Sequence, residues 1–150
     1  MNENHAPPVV LIVDDDRSLR RLLQVTLERQ KYELYEAYDG AEAIRMATEH
    51  KPDIILLDIM MPSIDGIEVC KRIKSDPALS GTYIILLTAL GQERDRKEGM
   101  EARADAYMIK PFSPIQLISA IEEYLSKKLG RKSSDIDTGN SKLLKGNLNA

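Results

Sequence analysis

A chain of 150 residues and 16.9 kDa with 43% hydrophobic residues fits one domain with its own core, and leaves no room within it for a sizeable second catalytic domain. A formal charge of -3 with 30% charged residues is an ordinary hydrated surface and argues against a nucleic-acid footprint. A single cysteine, Cys70, excludes an intrachain disulfide and a thiolate zinc cluster, and no apolar run is long enough to span a bilayer.

The leader, Met1 to Pro8, is polar, holds His5 and two prolines, and resembles neither a signal peptide nor a cationic targeting helix. It reads as flexible, and a cytoplasmic location follows as the default. Val9 to Val13 then reads as an apolar strand that runs into three acids, Asp14, Asp15 and Asp16. From Arg17 the period becomes helical, with Leu19, Leu22, Leu23, Thr26 and Leu27 on one face and Asp16 or Ser18 as the cap. Capping accounts for one of three adjacent carboxylates; the other two want a cation.

Glu33 to Tyr38 reads as a second strand nearer the sheet edge, and Asp39 and Gly40 open a helix over Ala41 to Glu49. Its Ala43, Ile44 and Ala47 can lie close against a sheet. Pro52 ends that segment and leads into the third strand, Ile54 to Leu57, which closes on Asp58. Four consecutive apolar residues fit a strand buried on both faces, as in a parallel sheet covered by helices on each side. After the Met60-Met61 loop, Ile67, Cys70 and Ile73 mark a third helix with Cys70 as a core filler.

Thr82 to Leu87 is a fourth apolar strand ending at Thr88, and Gln92 to Glu101 a charged helix whose buried side would carry Met100. Ala104 to Ile109 is the fifth strand, ending at Lys110 and Pro111. A last helix starts near Ser113-Pro114 and shows Ile115, Leu117, Ile118, Ile121, Leu125 and Leu129 as its apolar face. From Gly130 to Ala150 the chain is rich in Ser, Asn, Lys, Gly and Asp and reads as a flexible polar tail or the start of a linker. His5 and His50 have no evident partners.

Five strands alternating with five helices give an α/β, doubly wound parallel sheet with helices on both faces. In that fold Asp14, Asp15, Asp58, Thr88 and Lys110 all lie at C-terminal strand ends and meet on one rim, where open α/β sheets bind ligands. Three carboxylates against one lysine imply a hard divalent cation, Mg²⁺, which couples carboxylates to phosphate oxygens. There is no GxGxxG and no GxxxxGK[ST], so a bound nucleotide is not expected and the phosphoryl group would pass to a protein atom. Asp58 is the candidate nucleophile, Asp14 and Asp15 the metal ligands, and Thr88 and Lys110 the groups on the phosphoryl oxygens. Tyr107 could move in response. Each also has a plainer role: a helix cap, a strand-end hydroxyl, a surface amine, a half-buried aromatic.

The segments VLIVDDD (Val10 to Asp16), PDIILLDIMMPSIDG (Pro52 to Gly66), IILLTA (Ile84 to Ala89) and ADAYMIKPF (Ala104 to Phe112) resemble the receiver domain of two-component response regulators, in particular the single-domain chemotaxis receiver. The resemblance covers about Val9 to Leu129. It implies a flavodoxin-like sheet of order 2-1-3-4-5 and phosphorylation on Asp58 by a sensor histidine kinase or histidine phosphotransfer protein. It also implies that Asp14, Asp15, Asp58 and the Met60 carbonyl bind Mg²⁺, with Thr88 and Tyr107 as switch residues, Lys110 as the invariant lysine and a cis Lys110-Pro111 bond. Such a module catalyses its own phosphorylation and slow dephosphorylation and is not a turnover enzyme. It would signal through the surface of its fourth helix, fifth strand and fifth helix, with a homodimer left open and no direct contact with nucleic acid or membrane from this segment.

Two positions depart from the pattern. Arg103 stands where a glycine usually precedes ADAY, so the turn into strand five needs another geometry or left-handed strain, and Ile64 is a mild apolar swap. Competing readings are a receiver fragment of a longer DNA-binding or enzymatic regulator, a Mg²⁺-dependent phosphatase and a phosphate-independent scaffold. The phosphatase would want an acid-base aspartate two residues after Asp58, where Met60 stands.

Overall fold

The computed structural model describes residues 6–89 and 93–128, with the side chains of all but 93–95. Five strands alternate with five helices: β1 (Val9–Val13), α1 (Arg17–Glu28), β2 (Glu33–Ala37), α2 (Gly40–His50), β3 (Ile54–Asp58), α3 (Gly66–Ser75), β4 (Tyr83–Ala89), α4 (Glu93–Glu101), β5 (Ala106–Lys110) and α5 (Pro114–Lys128). The strands form one parallel sheet ordered β2-β1-β3-β4-β5, as expected. His5, Gln92, Leu129 and the tail from Gly130 lie outside the described residues.

Every residue of β3 is buried, and alternate side chains go to opposite faces. Ile55 and Leu57 join Leu11, Val13, Ile84 and Leu86 beneath α2 and α3. Ile54 and Leu56 join Val10, Ile12, Ile85 and Leu87 beneath α1 and α5. Among the described residues no helix is long and apolar enough to cross a membrane.

Helix starts follow side-chain chemistry. The carboxylates of Asp39 and Asp65 accept from the backbone N–H groups of Glu42 and Glu68, and Ser113 and Gln116 exchange side-chain and backbone bonds ahead of Pro114.

Some expectations are corrected. Tyr38 lies outside β2, β5 starts at Ala106 because Ala104 N–H is drawn to the Gly99 carbonyl, and β4 runs on to Ala89, which puts Thr88 inside the strand. Leu22, Met100 and Ile115 are not on buried faces but 56%, 70% and 75% exposed. In α1 the sheet-facing row is Leu23 and Leu27, one position away from Leu22. In α4 Gly99 is buried where a Cβ would come within 2.5 Å of Leu86 Cδ1, and its neighbour Met100 is exposed. In α5 the row Leu117, Ile121, Leu125 faces the sheet, with Ile115 on the far side. His50 does have partners: its ring stacks on Tyr35 with centroids 3.7 Å apart, and Nε2 lies 3.2 Å from Glu49.

Candidate functional site

The chain leaves β1 through a tight acidic turn. Asp14 Oδ1 accepts from Asp16 N–H at 2.8 Å, and Asp16 Oδ1 in turn accepts from the N–H groups of Ser18 and Leu19, so Asp16 is the cap of α1. That leaves Asp14 and Asp15 unneeded as caps. Arg20, one turn into α1, reaches back: its Nη1 donates to the Asp14 carbonyl at 2.6 Å and its Nε lies 3.1 Å from Glu36 Oε1 on β2.

β3 delivers Asp58 to the same rim. The loop after it doubles back, with Ile59 N–H donating to the Leu87 carbonyl and the N–H groups of Met61 and Gly66 both donating to the Ile59 carbonyl. The return requires glycine at 66, because a Cβ there would run into the Asp58 carbonyl oxygen and lie 2.8 Å from Ile59 Cα. Met61 is buried while Met60 is 60% exposed at the rim.

β5 supplies the cation. Lys110 Nζ lies 3.0 Å from Asp58 Oδ1 and 3.2 Å from Asp14 Oδ2, so one ammonium bridges two carboxylates. Oxygens of Asp14, Asp15 and Asp58 all lie within 4.8 Å of one another. Asp14 and Asp58 are buried and Asp15 is exposed, which leaves the cluster open on one side.

Burial raises the Asp58 carboxyl from 3.8 to about 6; the Lys110 hydrogen bond opposes this rise, and the charges of Asp14 and Asp15 add to it. Burial also raises Asp14, against its bonds to Asp16 and Lys110. Burial works against the Lys110 ammonium too, but Asp58 and Asp14 outweigh it and raise its pKa. Charge is therefore left over: three acids converge on one ammonium, and Asp14 and Asp58 hold their protons more tightly than usual. Hard oxygen donors with surplus negative charge fit a divalent cation such as Mg²⁺.

Thr88 is fully buried near the end of β4, one residue beyond Leu87, the register partner of Asp58. Tyr107 on β5 is 8% exposed and packs within the cluster beneath α2 and α3. The Lys110-Pro111 bond is cis, and Arg103 takes φ 69°, the left-handed one of the two alternatives left open there. Cys70 is buried in the core, and burial pushes its thiol up to about 11. No motif marks Arg20 or Glu36; in sequence each is one more charge on a helix or an edge strand.

A family described as response regulator receiver domain matches residues 10–122. The chain is 47% identical over 118 residues to the transcriptional regulatory protein ResD of Bacillus subtilis (strain 168), covering 79% of this chain and 48% of that protein. It is 43% identical, with the same coverage, to that organism's alkaline phosphatase synthesis transcriptional regulatory protein PhoP. The chain spans about half the length of the curated relatives it matches. Among solved structures, the Vibrio cholerae chemotaxis protein CheY4 superposes with a TM-score of 0.74 at 32% identity, covering 79% of this chain and 98% of that one. With this sheet order and acidic rim, the chain belongs to the response regulator receiver domain family of two-component signal transduction.

Proposed function

We propose that Asp58 accepts a phosphoryl group from a sensor histidine kinase or a histidine phosphotransfer protein, and that the acyl phosphate formed changes partner binding. The observation that carries this reading is the bridge of Lys110 between Asp58 and Asp14, with Asp15 completing a carboxylate cluster at the rim. Receiver domains generally bind Mg²⁺ at an acidic pocket; here Asp14, Asp15, Asp58 and the Met60 carbonyl would hold it. When bound, the cation neutralises charge on the phosphoryl oxygens.

In the transfer, a carboxylate oxygen of Asp58 forms a bond to phosphorus while the bond from phosphorus to the donor imidazole nitrogen breaks and its electron pair stays with the imidazole. Lys110 exchanges its contact with Asp58 oxygen for one with a phosphoryl oxygen, and the Thr88 hydroxyl donates to another. The product carries about two negative charges in place of one, so it competes with Asp14 for Lys110.

Lys110 and Tyr107 share β5, so a shift at the rim bears on the face where Tyr107 lies. A cleft of about 310 Å³ between α4, β5 and α5, lined among others by Gly99, Met100, Tyr107, Ala120 and Tyr124, supports that face as the output surface. We assign residues 9–129 to the receiver, acting in the cytoplasm, and 130–150 to a tail or linker. A second reading, a receiver joined to a DNA-binding effector, is favoured by the half-length match to relatives named as transcriptional regulators.

The test is phosphate uptake from a small acyl phosphate. One phosphate per chain, dependent on Mg²⁺ and absent in Asp58→Asn, is expected. Many turnovers would favour a phosphatase instead, and no labelling a scaffold.

A further inference from the structure

Most of the charged rim is held by side-chain contacts. Asp14 is bonded through both carboxylate oxygens, to Asp16 N–H and to Lys110, and Lys110 in turn holds Asp58. Asp15 is held differently: it is exposed, and among the described residues no hydrogen bond or ion pair is made to its carboxylate. The backbone that carries it is what the rest of the rim can act on.

Two side chains hold that backbone, one on each side of Asp15: Asp14 Oδ1 takes Asp16 N–H after it, and Arg20 takes the carbonyl before it. The carbonyl oxygen that takes Arg20 Nη1 at 2.6 Å belongs to the peptide joining Asp14 to Asp15. A peptide unit is planar, so holding its oxygen restrains the Asp15 Cα that lies in the same plane. Arg20 is itself braced by Glu36, and its side chain is only 14% exposed, so the guanidinium is committed to this bridge and does not range over the surface.

We propose that Arg20, braced by Glu36, is a positioning residue that aims the Asp15 carboxylate at the divalent cation; this rests on the metal-binding reading above. Outer groups that orient a ligand are worth about 10- to 100-fold in metal affinity. A role through charge alone has the opposite sign, because removing a cation near three carboxylates favours another cation. A purely structural role lowers metal-free stability and leaves metal affinity unchanged.

Isothermal titration of the full chain with Mg²⁺, beside urea unfolding in a chelator, separates these. Arg20→Ala should weaken Mg²⁺ binding about 10-fold, Arg20→Lys should recover part of the loss, and Glu36→Gln should give a smaller loss in the same direction. Unchanged or tighter binding in Arg20→Ala overturns the proposal. Should that variant fail to fold, unchanged affinity in Glu36→Gln overturns it. Wild-type protein that binds no Mg²⁺ sinks the metal-binding reading and this proposal together, whereas normal wild-type binding with an indifferent Arg20→Ala sinks only this one.

Discussion

Replacing Asp58 with asparagine should make the metal-free protein more stable at neutral pH, although it removes the group on which the proposed function depends. Asp58 is 4% exposed, and its carboxyl is raised from 3.8 to about 6 mainly by burial. The native state thus binds this proton more tightly than the unfolded chain does. Stability from this group is fully present below 3.8 and is lost as pH rises through about 6. At pH 7 the loss amounts to about 3 kcal/mol, at about 1.4 kcal/mol per pKa unit. Asparagine keeps an acceptor oxygen toward Lys110 without the charge, so about 3 kcal/mol is the ceiling on its gain. Urea unfolding of both proteins in a chelator, repeated between pH 7 and pH 4, reads the difference directly. The asparagine advantage should be largest at pH 7 and shrink on acidification; excess Mg²⁺ should narrow it by binding the native wild type. An asparagine variant less stable than wild type at pH 7, or an advantage that ignores pH, would refute the reasoning.

Lys110→Ala should cost about 3 kcal/mol in chelator at pH 7, since it leaves Asp14 and Asp58 without their shared ammonium. The deficit should fall by pH 5, where Asp58 protonates, and a deficit independent of pH would count against a charge origin. Gly66→Ala should destabilise by about 3 kcal/mol or more and abolish phosphate uptake, because its Cβ collides with the backbone of Asp58 and Ile59; a thermal melt and the labelling assay check both. Arg103→Gly relieves a left-handed backbone at φ 69° for the loss of one exposed bond to the Lys74 carbonyl. It should raise stability by about 1 kcal/mol and leave phosphate uptake unchanged, and a lower unfolding midpoint would contradict the strain.

Much of the fold was legible because burial writes itself into composition. Ile54 to Leu57 fitted a strand covered on both faces, and the positions where apolar runs stop pointed to the rim. The left-handed turn at Arg103 was legible as a missing glycine. What escaped was set by approach distance. Met100 looks like the anchor of α4, yet it is exposed and the residue against Leu86 is Gly99, which has no hydrophobic signal. Arg20 escaped for a related reason: its partner is a backbone carbonyl, which every residue has, so no pairing of types betrays it.

The same distinction bears on the chemistry. A buried carboxylate near pKa 6 with a lysine at 3.0 Å would, in isolation, fit a general base as well as a phosphoryl acceptor. Asp14 and Asp15 favour the proposed acceptor. Their charges raise the Asp58 pKa, which would serve a base too, but neither acid is spent on capping, since Asp16 fills that role, and a base needs no such open oxygen cluster beside it. The proposed cation, and then the proposed phosphoryl group, would give three acids held together something to bind. The instability predicted for the metal-free rim is the measurable trace of that arrangement.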